Sequence, residues 1–407
     1  MLACIAAAAS LAADEAQTAL VLKAEKDYDR VALSAAPPLR DTAACIQSAA
    51  ALVPVSAPED LPLIRFRKGW CTLASAAITG QPAGFREAAA EFDLAIAAWP
   101  GRVATEARHK QPLEPVPPVL RMLSAVARLN AGETADDAGL GAALSAGDCS
   151  SVRMPAVACQ RVFAIGREWR GWLALRRGDL DAAGRDFAGA GAWSAWVAGR
   201  HAFGAGRYAD AAADYRKAVD AWDATRRADS RPLLDHIAPP ADLGEAEADL
   251  GGAQLLAGDA AGAIAALDAA VKQAPNDARA LYLRARAKEA AARTDAAMAD
   301  YSLASRAAFA NARELASGEG HLYRGILLYR RHEYDQAEDE FASALNFEIP
   351  AGLRGDAGAW RRLAAVAGGS CGASRDYLER SLAGVTPYFP KAEARTAIAA
   401  CGAMTPR

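Results

Sequence analysis

The feature that most constrains this 407-residue chain is a short string that recurs along it. The string reads Gly-x-x-x-x-Ala-x-x-x-aromatic-x-x-Ala, with single departures in some copies. GDLDAAGRDFAGA supplies Gly178, Ala183, Phe187 and Ala190, and GRYADAAADYRKA supplies Gly206, Ala211, Tyr215 and Ala218. GDAAGAIAALDAA supplies Gly258, Ala263, Leu267 and Ala270; ARTDAAMADYSLA supplies Ala292, Ala297, Tyr301 and Ala304. HEYDQAEDEFASA supplies His332, Ala337, Phe341 and Ala344, and an earlier copy, AGFREAAAEFDLA, supplies Ala83, Ala88, Phe92 and Ala95. Seven residues before each string stands another small residue: Ala76, Gly171, Gly199, Gly251, Ala285 or Gly325. Alanine matches alone carry little weight in an alanine-rich chain. The large position decides the matter, because five of six copies are aromatic in a chain that is 7% aromatic.

Each unit then reads as two short amphipathic helices around a turn. A single hairpin cannot bury its own apolar face, so the copies must stack. Alanine favours helix because it loses no side-chain entropy there, and the chain has few β-branched residues to oppose it. Pro100, Pro275 and Pro350 each follow a copy by five or six residues and are expected to end its second helix.

The pattern resembles the tetratricopeptide repeat, a 34-residue helix–turn–helix unit. The resemblance covers about 64–100 and 164–350. It implies an all-α fold, an α-solenoid of stacked helical hairpins, irregular at the N-terminus and in the middle. The irregularity follows from spacing: Ala263 and Ala297 are 34 residues apart, but 28 separate Ala183 from Ala211, 52 separate Ala211 from Ala263, and 40 separate Ala297 from Ala337. The expected organisation is a signal segment at 1–13, an N-terminal helical cap at 14–63, and a first repeat-like hairpin plus a degenerate one at 64–163. The main array follows at 164–350, with C-terminal capping helices at 351–407. The insertion at about 223–242, DATRRADSRPLLDHIAPPAD, is polar and proline-bearing and is expected to order only on binding.

A net charge of −3 gives no electrostatic footprint for nucleic acid. No run of 18 apolar residues exists, so no membrane-spanning helix is expected. The start, MLACIAAAASLAADEAQ, is apolar and then acidic, with Ser10-Leu11-Ala12 resembling a cleavage site. It reads as a secretory signal that lacks its positive n-region. With a misassigned start, Cys4 could instead carry a lipid anchor. The other six cysteines fall into neighbouring couples: Cys45 with Cys71, Cys149 with Cys159, and Cys371 with Cys401. Six cysteines permit 15 connectivities, so this pairing rests on spacing alone. Three such disulfides suit a periplasmic or secreted protein. Buried free thiols in a cytoplasmic protein are the alternative.

No cofactor or metal is implied: no phosphate loop, dinucleotide fingerprint or zinc spacing is present. GGSCG, residues 368–372, matches the nucleophile-elbow pattern around Ser370, but that motif needs a strand before the serine. WRRLAAVA reads as helix there, so a helix–helix turn is favoured and no catalytic residue is assigned. The first helices carry a second face, three before, one after and four after the small residue, a spacing that lies along one side of a helix. It reads Glu168, Trp172, Leu175; Trp196, Arg200, Phe203; Ala248, Gly252, Leu255; Tyr282, Arg286, Glu289; and Leu322, Ile326, Tyr329.

In the family this face lines a groove. Trp172, Trp196, Arg200, Phe203, Tyr282, Arg286 and Tyr329 are therefore the candidate binding residues, of the types enriched at hot spots. Two alternatives stay open: the chain's own terminal helices fill the groove, or some tryptophans belong to the core between repeats. The asparagine- and lysine-based clamp that some relatives use for chaperone tails is absent, since Arg200, Gly252, Arg286 and Ile326 occupy its row. The functional expectation is a non-catalytic scaffold that binds a protein or peptide in an exported context. A cytosolic adaptor with free thiols is the alternative, and an enzyme using Ser370 is the least supported reading.

Overall fold

The computed structural model describes residues 2–108, 116–134, 137–145, 149, 152, 154–227, 232–312 and 317–403, with the side chains of 2–14, 106–107, 137–138 and 402–403 excepted. Cys4, the Ser10-Leu11-Ala12 site, His109 and positions 228–231 of the insertion lie outside the described residues or side chains. Among the described residues there is helix and turn but no strand. The chain packs as two compact units: Met1–Ser194 with Ala224–Ala241, and Ala195–Asp223 with Asp242–Arg407.

The first unit contains α1 (Leu2–Ala32), α2 (Leu39–Leu52), α3 (Leu61–Thr79), α4 (Pro82–Arg108), α5 (Pro118–Asn130), α6 (Asp137–Leu144), α7 (Ala156–Arg176) and α8 (Leu180–Asp186). The second contains α10 (Tyr208–Arg227), which extends just past its limit, α11 (Leu243–Leu256), α12 (Ala260–Gln273), α13 (Ala278–Ala290), α14 (Thr294–Asn311), α15 (Gly318–Arg330), α16 (Tyr334–Asn346), α17 (Ala351–Ala367), α18 (Ala373–Ser381) and α19 (Lys391–Ala403). Helix α9 (Ala192–Gly204) begins in the first and runs through the second. All six copies of the string fall on helical hairpins, in the tetratricopeptide-like arrangement of α-solenoid proteins.

Local chemistry sets the hairpins. Asp179, Asp242, Asp259 and Asp277 accept backbone N–H bonds at the starts of α8, α11, α12 and α13, satisfying donors the helix leaves open. The turn position needs a left-handed backbone. Gly178, Gly206 and Gly258 adopt it at φ +79°, +73° and +88°, where glycine is unhindered. Ala292 and His332 adopt it too, at +56° and +63°, against the steric preference of an L-residue.

The helix contact is a ring laid on a glycine. A Cβ at Gly171 would meet the Phe187 ring at 3.0 Å, and one at Gly199 or Gly325 would meet Tyr215 or Phe341 at 2.6 Å. At Gly251 it would overlap Leu267. The ring's remaining surface serves the next hairpin: Phe187 stacks on Trp193 (4.9 Å between centroids) and Phe341 on Trp360 (5.9 Å).

Three expectations change. In the first copy the left-handed turn is Gly80, and Phe92 lies on Gly69, 2.9 Å from a Cβ there, rather than on Ala76. Ala83 therefore sits in the first turn of α4, where Pro82 starts the helix. Pro100 does not end α4, which continues to Arg108. The lost backbone bond is offset by Trp99, which is fully buried beside it. The insertion is also ordered in part without any partner. Asp223 to Arg227 extend α10, and Leu233 and Ile237 are buried in the first unit's core.

These contacts separate two kinds of glycine. Gly251→Ala should lower stability by about 1–3 kcal/mol through overpacking. Gly178→Ala, with open space around its Cβ, should cost only the left-handed strain, about 1–2 kcal/mol. Ala292→Gly should not destabilise at all. Melting temperatures of the three variants check this ordering, and a destabilised Ala292→Gly would contradict the strain at that turn.

Candidate functional site

In the second unit the first helices α9, α11, α13 and α15 bring their second faces into one row. At its centre is the carboxylate of Asp249, which is 5% exposed. It accepts bonds from Trp196 Nε1 (3.0 Å), Arg200 Nη2 (3.1 Å) and Arg279 Nη2 (2.6 Å). Arg200 also pairs with Glu245 at 2.5 Å and lies over the Trp196 ring, 4.4 Å from its centroid. Burial alone would raise the Asp249 pKa. The charges of Arg279 and Arg200 and the bonds from Arg279 and Trp196 outweigh it and hold the carboxyl below its usual range. Burial pushes the Glu245 carboxyl up, against the pull of Arg200.

A second cluster follows along the row. Tyr282 stacks on Tyr323 at 4.9 Å, and burial pushes its hydroxyl up to about 12. Glu289 accepts from Arg286 (2.7 Å) and the Tyr301 hydroxyl (2.8 Å) and pairs with Arg330 (2.6 Å). The Arg286 Nε is buried with no hydrogen-bond partner among the described residues. Tyr329 donates to Glu393 of α19 at 2.9 Å, and Arg330 donates to the same carboxylate at 2.7 Å.

The row is covered by the chain itself. A non-helical strap, Leu382–Pro390, runs into α19. The Asp356 carboxylate, 1% exposed, receives the Thr386 N–H (2.7 Å) and hydroxyl (2.6 Å). The Phe389 ring packs edge-on to Trp360 at 5.3 Å. Tyr388 faces Phe203 (6.1 Å) and places its hydroxyl where a Cβ on Gly252 would stand. That hydroxyl is buried without a hydrogen-bond partner among the described residues. Behind the strap, the sulfurs of Cys371 and Cys401 are bonded across 30 residues, fixing α19 to the turn after α17.

Of the candidate binding residues, Trp196, Tyr282 and Tyr329 are buried, whereas Arg200, Phe203 and Arg286 are half-buried. Trp172, in the first unit, is half-buried beside Trp169 (5.4 Å) and under Arg176 (5.3 Å). Its neighbour Glu168 pairs with Arg161 (2.6 Å), and Arg161 reaches Asp235 of the insertion (2.8 Å). Trp169 and Asn130 both donate to the Ile237 carbonyl, at 2.7 and 3.0 Å. The other sulfur pairs, Cys45–Cys71 and Cys149–Cys159, lie at 2.06 Å in this unit.

Ser370 lies in a turn between α17 and α18, with Gly369 and Gly372 in the left-handed region. Its N–H bonds the Ala365 carbonyl, closing a helix end. A helix precedes it where a nucleophile elbow needs a strand. Among the described residues no group of His, Cys, Asp and Glu is arranged to hold a metal, and no helix is long and apolar enough to cross a membrane.

Reading the sequence by repeat position found Trp196, Arg200 and Phe203 but missed Asp249, Glu245 and Arg279, which lie one helical turn off that row or outside it. It missed Tyr388 and Glu393 as well, although the two prolines around Tyr388-Phe389 mark a non-helical segment.

No family model and no curated protein matches the chain. Solved structures similar to it include the following three. Yeast Tom70 is 11% identical, with 89% of this chain and 86% of that one covered and a TM-score of 0.35. A tetratricopeptide repeat protein from Parabacteroides merdae is 12% identical, with coverage of 90% and 99% and a TM-score of 0.26. The P58(IPK) TPR domain is 11% identical, with coverage of 89% and 92% and a TM-score of 0.25. At these scores the likenesses carry no argument, and the reading of the fold rests on the hairpin geometry above.

Asp249 yields a pH prediction. A depressed carboxylate contributes stability above its unfolded value, about 3.9, and loses it as pH falls through the lower folded value. Asp249→Asn should cost about 3 kcal/mol at neutral pH, the low end for a broken buried charge network because its arginines are partly solvated. Melting curves across pH should show the gap between wild type and variant closing below about pH 4. A gap that persists there would mean the charge is not what Asp249 contributes.

Proposed function

We propose that this chain is a non-catalytic scaffold that binds a polypeptide along the second face of its first helices, in an exported context. The observation that carries the reading is the occupancy of that face in the second unit. There the chain's own non-helical strap lays an aromatic side chain over Gly252, and α17 beside it holds the strap by a carboxylate on a backbone N–H and an aromatic pair at Phe389. These are the devices by which peptide-recognition surfaces work. The half-buried Trp172, Arg200 and Phe203, with the exposed Arg176, offer the stacking and bidentate contacts enriched at hot spots. Ser370 follows the helix α17, in the place where a nucleophile elbow needs a strand.

The exported context is supported by three cysteine pairs at bonding distance, since such bonds persist in oxidising compartments. Each would contribute on the order of 2–4 kcal/mol. The change from apolar to acidic residues in MLACIAAAASLAADEAQ agrees with it.

Short random peptides selected on the wild-type chain test the binding face. Trp172→Ala or Phe203→Ala should weaken the selected peptides at least about tenfold, near 1.4 kcal/mol, with helicity unchanged. Full affinity in both variants would sink the proposal. Non-reducing peptide mapping of protein from its native host tests the compartment. Three linked pairs and a processed N-terminus are expected; free thiols would favour the cytosolic adaptor.

A further inference from the structure

The strap over the second unit has two properties that a permanent cap does not need. The Tyr388 hydroxyl is buried and has no hydrogen-bond partner among the described residues. An unpaired buried hydroxyl opposes folding, and phenylalanine would fill the same space without that cost. The position opposite is Gly252, in the middle of α11, where glycine is a poor helix former and any side chain would collide with the hydroxyl. The pocket so formed has Phe203 on one side, Leu283 close to its floor, and the charged pair Asp249–Arg279 nearby. It is shaped for an aromatic ring with a polar tip, yet Tyr388 leaves that tip unsatisfied.

We propose that the strap is an intramolecular stand-in for the ligand: the pocket over Gly252 takes an aromatic side chain from a proline-flanked segment of a partner polypeptide, which enters when Tyr388 leaves. This deepens the binding reading above and rests on it. Thr386 on Asp356 and Phe389 on Trp360 hold the strap, and Glu393 on Tyr329 and Arg330 holds α19, into which it runs. The Cys371–Cys401 bond keeps α19 in place even when the strap opens. A tethered occupant competes at a high effective concentration, so the oxidised chain resists free peptide. Pro387 and Pro390 limit the strap's unbound conformations. A partner segment with the same proline spacing would enter with the same low entropic cost. A ligand whose tip reaches Asp249 or Arg279 gains the hydrogen bond Tyr388 lacks, which supplies the advantage needed for exchange.

The probe is a labelled peptide of the chain's own residues 383–391, AGVTPYFPK, titrated by fluorescence anisotropy against the full chain. Tyr388→Ala vacates the pocket and should bind the peptide at least about tenfold more tightly than wild type. Cys371→Ser with Cys401→Ser should shift affinity the same way. Gly252→Leu added to Tyr388→Ala fills the pocket and should remove the binding. Peptide that binds Tyr388→Ala no better than wild type, or that survives Gly252→Leu, overturns the proposal.

Hydrogen exchange on the wild type keeps the test independent of whether those variants fold. Amides of Val385, Thr386, Tyr388 and Phe389 should exchange through an opening well below global unfolding. Protection equal to that of α13 would make the strap a permanent cap and overturn the proposal. The outcomes separate the two readings. Peptide binding that depends on Trp172 but ignores Gly252 keeps the scaffold function and removes the strap; selected peptides with no dependence on either removes the function itself.

Discussion

A ring laid on a glycine is the contact on which the hairpins depend. With no side chain at Gly171, Gly199, Gly251 or Gly325, the partner residue of the second helix lies against the backbone of the first. That closeness fixes where each hairpin's remaining faces point. The ring's other surface is then free for the following hairpin, as at Phe187–Trp193 and Phe341–Trp360. Both the pairing within a repeat and the stacking between repeats thus hang on a single side chain. This explains why five of six copies carry an aromatic at that position in a chain that is only 7% aromatic, and why alanine can fill so much of the rest.

The same geometry exposes the second face of each first helix, and the molecule treats that face as something to be covered. In one unit the insertion brings Ile237 onto Trp169 and Asp235 onto Arg161. In the other, the strap and α19 bring Tyr388, Thr386 and Glu393 onto a row of arginines, acids and tyrosines. Charges dominate the second row because arginine and carboxylate groups there satisfy each other while stacking on rings. Asp249 is the extreme case, a buried carboxylate with three donors converging on it.

The hairpins were legible in the sequence because a glycine, an alanine and a ring at fixed spacing leave a signal stronger than composition. Alignment alone places Ala292 and His332 at the turn, and neither residue announces the left-handed conformation it adopts there. The frame slipped at Ala83, where Gly80 and Pro82 carry the turn and alanine-rich flanks give several equivalent alignments. Pro100 misled for a different reason: burial of Trp99 outweighs a local rule about proline. The site was half legible. Repeat position picks out residues that share a helix face, but Asp249 and Arg279 join through side-chain reach. Tyr388 and Glu393 arrive from a segment outside the repeat pattern, whose destination only tertiary structure reveals.

The division of the chain has a consequence for biosynthesis. The first unit is not contiguous: Ala224–Ala241 returns to it after the chain has already supplied Ala195–Asp223 to the second. Leu233 and Ile237 belong to the first unit's core. A ribosome making this protein must therefore release α9 and α10 before the first unit can close. During that interval the first core lacks two of its apolar plugs, and the two helices lack the hairpins they pack against. The nascent chain carries both gaps at once, and it is at this stage that it most needs shielding from other chains.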